Sequence, residues 1–252
     1  FESLSNPANG KLREKVTKMA LKNGMTVIDD DSGANIDVQV FDSDKFSNAV
    51  YTSEGVETKD MPVIIVMDYA FGEQAYETMD ELLKPYKDNN GNSHFLNVAS
   101  VSIMGKAGIL EGGKGDVMIP SAHVFEGTAD NYPFENQLNI SDFKDEDVNV
   151  CTGTMITVLG TSLQNRDVLR FFHESTWNVI GLEMEGAHYQ KAIQAAAKIR
   201  GSISSKTQVR YAYYASDNPL ETGSTLASGG LGTSGVKPTY VITEKMLKQV
   251  LG

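Results

Sequence analysis

The segments IGLEMEGAHYQKAIQAAAKI (residues 180–199) and VRYAYYASDNP (residues 209–219) decide how the whole chain is interpreted. The first predicts a short apolar strand followed by a helix that begins near Glu185. The second predicts a strand that ends at Asp217, because Pro219 cannot extend a central strand. Asp217 is therefore expected at the carboxyl edge of a sheet, where open α/β folds bind their ligands.

The chain around these segments alternates predicted strands with predicted helices. Pro62–Met67 predicts a buried strand, Gly72 a turn, and Glu73–Leu83 an amphipathic helix, which together form the start of an α/β unit. Further strands are predicted at Ile36–Phe41, Ala49–Tyr51, Asn97–Met104, Asp116–Pro120, Val148–Cys151 and Met155–Leu159, and further helices at Lys11–Asn23, Asn165–Glu174 and Thr243–Leu251. This pattern predicts an α/β fold, a three-layer sandwich around a central mixed β-sheet.

Three connections contain turn-forming or flexible residues. Gly105–Gly108 is predicted to be a glycine turn after a strand, and Ser121–Asn136 a long polar and aromatic connection. Ser228–Gly235 is rich in glycine and serine and is a candidate hinge or lid. Thr243 is predicted to cap the last helix.

Length and composition limit the classes of protein and partner. The 252 residues suit a single domain over residues 1–252, with residues 1–60 as a possible extension of it. A formal charge of −11 argues against nucleic-acid and anionic-membrane partners. Cys151 is the single cysteine, so an internal disulfide and a multi-cysteine metal site are excluded, and neither a metal nor another cofactor is expected. The start at Phe1 suggests a piece of a longer protein, and a cytoplasmic setting is expected.

Four stretches in order resemble the nucleoside phosphorylase/nucleosidase superfamily, and above all its AMP nucleosidase-like and methylthioadenosine nucleosidase-like members. They are VIIVMDYAFGEQAYETMDELL (residues 63–83), SIMGKAGILEGGKGDVMIPSAHVFEGTADNY (residues 102–132), GLEMEGA (residues 181–187) and YASDNP (residues 214–219). The first sixty residues resemble no family that we identify. The resemblance implies a nucleoside phosphorylase-like fold and cleavage of the N-glycosidic bond between a purine and a ribose.

The same resemblance assigns roles to three residues near the two deciding segments. Asp217 matches the aspartate that protonates or hydrogen-bonds the purine N7. Glu185 matches the glutamate that binds the ribose hydroxyls, and Met184 the methionine that packs beneath the sugar. Glu183 is expected to have a structural role instead.

The nucleophile distinguishes a hydrolase from a phosphorylase, and the resemblance favours water. Hydrolytic members place a glutamate after the first strand to activate water, and Glu73 lies at that point. Ile103 occupies the position of an arginine that binds phosphate in phosphorylases. Lys106, beside Gly105, is the only basic residue of the predicted turn, and it is expected to bind a substrate 5′-phosphate or a free phosphate. A phosphorylase that uses Lys106 is therefore the alternative enzyme.

The resemblance identifies the residues that contact the base less clearly than it identifies the two acids. Ile156 occupies the position at which hydrolytic relatives stack a phenylalanine on the purine, so Tyr132, Phe134 or Tyr69 could supply the stack. Ser216 is a further expected substrate contact.

Three expectations concern the rest of the chain and its class. His188 is expected to be a structural histidine or to line the pocket, and Arg166 and Arg170 are expected to be surface or interface charges. The resemblance also implies a homo-oligomer. A purine-binding sensor domain without catalysis is the alternative from a different class.

Overall fold

The computed structural model describes residues 9–29, 33, 35–46, 61–128, 130–160, 165–221 and 234–252. Contacts divide the chain into two compact units. One consists of Phe1–Tyr69 with Leu247–Gly252, and the other is Ala70–Met246. The organisation as one domain stays a prediction, and each unit is described by itself. No helix of the described residues is long and apolar enough to cross a membrane.

The first unit contains one helix and a small antiparallel sheet. Its elements are α1 (Gly10–Lys22), β1 (Met25–Ile28), β2 (Val38–Asp42), a 3₁₀ turn (Ser43–Lys45) and β3 (Val63–Met67). β2 pairs with both β1 and β3. Gly24 has a positive φ of 95°, which is why glycine suits the end of α1. The strand predicted at Ala49–Tyr51 lies outside the described residues.

The prediction that Pro62–Met67 is a buried strand is correct in type and wrong in burial. Val63 is 63% exposed and Val66 47% exposed. The reason is that β3 lies at the edge of the three-stranded antiparallel sheet rather than inside the larger sheet. An apolar run of this length indicates a strand, but it does not predict whether that strand is buried or exposed.

The second unit carries the larger sheet and most of the core. Its helices are α2 (Gln74–Leu82), α3 (Arg166–Glu174) and α4 (Gly186–Gln194), with a π-helical turn at Ala195–Arg200 and a 3₁₀ turn at Ile140–Phe143. Its strands are β4 (Tyr86–Lys87), β5 (Ser93–His94), β6 (Ser100–Ile109), β7 (Val117–Phe125), β8 (Asn131–Pro133), β9 (Val150–Thr157), β10 (Val179–Glu183) and β11 (Gln208–Asp217). The last helix of the chain is α5 (Val236–Leu251).

The main sheet closes on itself. Its strand order is β11-β6-β10-β9-β7-β8, and β11 also pairs with β7, so five strands form a ring and β8 extends from β7. β7, β9 and β10 are mutually parallel, whereas β6 runs antiparallel to β10. The mixed α/β class is therefore confirmed. The three-layer sandwich is not confirmed, because the β11–β7 pairing turns the expected open sheet into a barrel.

Alternation along the strands separates the interior of the ring from its helix-covered outside. Tyr211 and Tyr213 of β11, Met118 and His123 of β7, and Met155 of β9 are almost completely buried. An outer cluster packs under α5 and includes Ala212, Val241, Ile242 and Met246, and another packs under α3 and includes Ile156, Leu169 and Leu182. Burial of these apolar side chains is the main force that holds the sheet together.

Several predicted boundaries change because strands are longer than their apolar runs. Gly105–Gly108 forms no turn but continues β6, with Gly105 paired to Tyr213. β7 extends to Phe125 and β8 follows, so Ser121–Asn136 is not a long loop. Polar and glycine residues are tolerated in these strands because neighbouring strands supply partners for their backbone hydrogen-bonding groups.

Two further predictions about element boundaries are wrong. The two strands predicted at Val148–Cys151 and Met155–Leu159 are the single strand β9. α5 begins at Val236, so Thr243 is no N-cap; its hydroxyl donates to the carbonyl of Thr239 one turn earlier (2.8 Å). The hinge or lid predicted at Ser228–Gly235 lies outside the described residues except for its last two.

One side chain bridges β7 and β11 where their backbones do not pair. The Asn136 amide nitrogen donates to the carbonyls of Pro120 and Tyr211, both at 2.9 Å. Its oxygen accepts from the backbone N–H groups of Leu138 (3.1 Å) and Tyr211 (3.2 Å). Backbone pairing between β7 and β11 covers only Tyr213 with Met118 and Tyr214 with Val117. Asn136 therefore extends the contact that closes the ring.

We expect Asn136→Asp to destabilise the protein by about 2–4 kcal/mol, because a carboxylate cannot donate to the two carbonyls and repels both. Urea unfolding followed by circular dichroism measures the loss. Asn131→Asp, on the exposed surface of β8, is the matched control and should change stability by less than about 0.5 kcal/mol. Equal stability of the two variants would contradict this role of Asn136.

Candidate active site

The carboxylate of Glu183 organises the turn between β10 and α4. It accepts hydrogen bonds from the backbone N–H groups of Glu185 (2.5 Å) and Gly186. Its other oxygen lies 2.5 Å from the Thr157 hydroxyl. That hydroxyl also accepts from the N–H of Ala187 (3.0 Å), so its own proton points to Glu183. Glu183 and Thr157 thus satisfy the free N–H groups at the start of α4, as capping side chains do.

Glu183 is almost completely buried, at 3% exposure. Burial raises the pKa of its carboxyl to about 7, against the opposing effect of the Thr157 and backbone hydrogen bonds. The structural role expected for Glu183 agrees with these contacts. It also makes Glu183 a group that titrates near neutral pH.

Glu185 follows directly and points toward the loop before α2. Its carboxylate accepts from the N–H of Gly72 (3.0 Å), and the residue is 7% exposed. Burial raises the pKa of Glu185, and the hydrogen bond from Gly72 opposes that shift. Its second oxygen accepts from the backbone N–H of Met184 (3.3 Å). A buried carboxylate with two backbone donors still has lone pairs that can accept hydroxyl protons from a ligand.

Glu73 lies next to Gly72, at the N-terminal end of α2, and its side chain is exposed. Its charge acts to raise the pKa of His188, although burial has the larger effect and lowers it. His188 packs edge-on against Phe125, with ring centroids 4.7 Å apart. The structure therefore brings Glu73, Glu185 and His188 to the same region.

Gly186 leaves room for a buried polar cluster beneath the start of α4. The His123 imidazole Nε2 lies 3.0 Å from the Tyr213 hydroxyl, and the ring stacks on Phe134 at 5.2 Å. Burial lowers the pKa of His123 to about 3, so the ring is neutral at physiological pH. A Cβ on Gly186 would contact the His123 ring and would lie 2.5 Å from the Tyr213 oxygen. Only glycine fits this approach.

Asp217 is 2% exposed at the end of β11. Its Oδ1 accepts from the Ser216 hydroxyl (2.5 Å), whereas its buried Oδ2 has no hydrogen-bond partner among the described residues. Asp217 pairs with Gly108 of β6, and Gly108 pairs with Leu182 of β10. Gly108 therefore aligns Asp217 with Leu182, near the end of β10 that leads to Glu185. Asp217 and Leu182 are two strand spacings apart, or about 10 Å.

The chain after Asp217 is held by side chains that the sequence did not indicate. The Asn218 amide donates to the carbonyl of Gly112 (3.0 Å), and its oxygen accepts from the N–H of Leu220. The Arg166 guanidinium donates to the carbonyls of Pro219 (3.3 Å) and Leu220 (2.6 Å). Arg166 is exposed, as expected of a surface charge, and it also supports the segment that follows Asp217. Arg170, in contrast, forms an exposed ion pair with Asp167.

Two predicted pocket residues share one apolar cluster. Ile156 is buried on β9 beside Leu182, and Met184 and Leu220 pack against the same cluster. Leu182 is also the residue that aligns with Asp217 through Gly108.

The remaining predicted contact residues lie at separate positions of the second unit. Lys106 is exposed on β6, two residues before the Gly108 that pairs with Asp217. Gly105 is buried within β6. Tyr132 packs edge-on against Phe125 (5.9 Å), the ring that also contacts His188. Ser216 is half-buried beside Asp217.

Sequence reasoning did not identify Thr157, Gly72 or His123 as parts of this region. Their contribution comes from contacts between segments that are distant along the chain, namely Thr157 with Glu183 and Gly72 with Glu185. Phe134, a candidate for stacking on the base, instead stacks on His123. Among the described residues, no group of three or more His, Cys, Asp or Glu side chains is arranged to hold a metal ion.

Comparison with known proteins finds one matching family and many similar structures. The model of a family described as "Family of unknown function (DUF6909)" matches residues 3–252. No curated protein matches the sequence.

Solved structures of nucleosidases and of a nucleoside phosphorylase share the fold of the chain. The 5′-methylthioadenosine/S-adenosyl homocysteine nucleosidase of Campylobacter jejuni aligns with a TM-score of 0.58 and 13% identity, over 94% of this chain and 95% of that chain. A futalosine hydrolase mutant of Helicobacter pylori gives the same four values. A purine nucleoside phosphorylase from Toxoplasma gondii, solved with immucillin-H, aligns with a TM-score of 0.54 and 14% identity, over 96% and 86%. The fold is that of the nucleoside phosphorylase/nucleosidase superfamily, as the sequence motifs indicated.

We expect Gly186→Ala to destabilise the protein by about 1–3 kcal/mol, because the added methyl group has to displace His123 or Tyr213 from a packed interior. Urea unfolding measures the change. Gly113→Ala is the matched control, since a Cβ there meets no atom within 4 Å. A stable Gly186→Ala variant would show that the cluster is not tightly packed.

Glu183 should give stability a measurable pH dependence. The Glu183 carboxyl holds its proton more tightly in the folded protein than in the unfolded chain, because its pKa is about 7 in the folded protein against an ordinary value of 4.5. The contribution of this carboxyl is therefore present at low pH and falls as the pH rises from about 4.5 to about 7.

The stability of the wild type relative to Glu183→Gln should therefore fall between pH 5 and pH 8, by an amount on the order of 2 kcal/mol. Urea unfolding at several pH values measures both proteins. Glu135→Gln, at an exposed position, should keep the wild-type pH dependence. Parallel stability curves for the wild type and Glu183→Gln would contradict the assignment.

Proposed function

The chain belongs to the DUF6909 family, and we propose that it cleaves the N-glycosidic bond of a purine nucleoside or AMP-type nucleotide, with water as the nucleophile. The observation that carries the proposal is Asp217, a buried carboxyl whose Oδ2 has no hydrogen-bond partner among the described residues. Such a group is costly unless a ligand supplies its partner. The sequence resemblance also matches Asp217 to the base-protonating aspartate of the nucleoside phosphorylase/nucleosidase superfamily.

The reaction balances with two carboxyl groups on opposite sides of the bond. As the bond between the ribose C1′ and the purine N9 breaks, its electron pair moves into the base, and the protonated Asp217 gives a proton to N7. Water adds to C1′, and Glu73 takes a proton from it. Glu185 accepts hydrogen bonds from the ribose hydroxyls and stabilises positive charge on the ring. Met184, which is partly buried, provides an apolar contact to the sugar.

Water is favoured over phosphate by the conformation of β6. Gly105, Lys106 and Gly108 are paired to β11, so they form no glycine turn whose N–H groups could surround a phosphate. Lys106 is then free to contact a substrate 5′-phosphate. A homo-oligomer and a cytoplasmic location stay predictions.

The proposal is tested by incubating the protein with AMP, adenosine, inosine and methylthioadenosine, each with and without phosphate, and measuring free base by chromatography. Release of base from one of these substrates without phosphate is expected. Asp217→Asn should lose about 10²–10⁴-fold in kcat because it cannot donate the proton. Asp130→Asn, whose carboxyl is exposed, is the control and should keep full activity.

The alternative reactions give different results in the same assay. Release of base only when phosphate is present would identify a phosphorylase. Purine binding without release from any substrate would overturn the enzymatic proposal and favour a sensor domain. Glu73→Gln separates the two enzymes further, since loss of the water base should lower phosphate-independent release about 10²–10⁴-fold.

A further inference from the structure

Ser216 interrupts the pairing between β11 and β6 next to Asp217. Ala215 pairs with Ala107 and Asp217 pairs with Gly108, so Ser216 is an extra residue in β11, a β-bulge. Bulges change the direction of the side chains that follow them, and they occur preferentially beside active sites. The bulge therefore places Asp217 on the face of Gly108 rather than on that of Ala107.

The Ser216 hydroxyl has two acceptors for its one proton. It lies 2.5 Å from Asp217 Oδ1 and 3.1 Å from the carbonyl oxygen of Ala107. A hydroxyl can donate to only one of them at a time. When Asp217 is neutral, the carbonyl is the available acceptor of comparable strength. When Asp217 is ionised, the charged oxygen is the stronger acceptor, since hydrogen bonds to ionised groups are shorter and about twice as strong.

We propose that Ser216 is a positioning residue whose hydroxyl rotates from the Ala107 carbonyl to Asp217 Oδ1 as Asp217 gives up its proton. The proposal rests on the proposed function. Ser216 fixes Oδ1, so Oδ2, which has no protein partner among the described residues, faces the base. The proton leaves from Oδ2 to the purine, and the Ser216 hydrogen bond stabilises the carboxylate that remains.

The charged groups on the elements that adjoin β11 and the segment after it are the same in the wild type and in Ser216 variants. They lie on β6, on the turn after it, on β10 with the start of α4, and on α3, and they are Lys106, Glu111, Lys114, Asp116, Glu183, Glu185 and Arg166. None of them is altered by a change at Ser216. A difference between Ser216 variants therefore reports the hydroxyl itself.

The test compares Ser216→Ala with Ser216→Thr, which keeps the hydroxyl. Ser216→Ala should lower kcat about tenfold with little change in KM, because a hydrogen bond to a charged group is lost as the charge forms. The alkaline limb of kcat/KM should move to higher pH by about one unit, because loss of the donor disfavours the ionised acid. Ser216→Thr should restore both values.

Two kinetic results would overturn the proposal. An alkaline limb that moves to lower pH would mean that the hydroxyl stabilises the neutral acid instead. A uniform loss of activity with the limb unmoved would mean that Ser216 has only a packing role.

An infrared titration tests the role of the Ser216 hydroxyl independently of any activity. The carboxylic acid band of Asp217 is assigned by its absence in Asp217→Asn, and its midpoint should move to higher pH in Ser216→Ala. If the wild type releases no base, the proposed function fails, while this titration still decides the Ser216 assignment. A midpoint that is the same in the wild type and in Ser216→Ala would refute it.

Discussion

The carboxylate of Glu183 joins the three segments on which the candidate site is built. It receives the Thr157 hydroxyl from the end of β9 and two backbone N–H groups from the start of α4. These contacts fix the turn that carries Glu185. A buried carboxyl is costly unless it is fully hydrogen-bonded, so a change at any of these positions would move Glu185 relative to Gly72. Burial of the same carboxyl raises its pKa to about 7, against the effect of these hydrogen bonds, which links the geometry of the turn to pH.

Asp217 is positioned by strand pairing rather than by side-chain contacts. β6 lies between β10 and β11, and its residue Gly108 pairs with Leu182 on one side and Asp217 on the other. The bulge at Ser216 then sets the direction of the Asp217 side chain. Two acids more than thirty residues apart are thus aligned by one position in the sheet.

Much of the fold could be predicted from local pattern, and much of the site could not. The apolar run before Asp217, stopped by Pro219, correctly indicated a strand that carries an acid at its end. The prediction for Gly105–Gly108 was wrong because glycine content suggests a turn, whereas pairing to β11 holds these residues extended. Three features depend on contacts between segments that are distant along the chain. They are the closing of the barrel by Asn136, the support of Leu220 by Arg166 and the cluster around His123. No local pattern encodes those contacts.

The central claim is that Asp217 and Glu185 bind the two ends of one purine nucleoside. A crystal structure with a purine C-nucleoside, in which a carbon–carbon bond replaces the cleavable bond, tests it most directly. The account predicts a ring nitrogen of the base within hydrogen-bond distance of Asp217 Oδ2 and the ribose hydroxyls on Glu185. A nucleoside bound elsewhere, or bound here with its sugar away from Glu185, would contradict it.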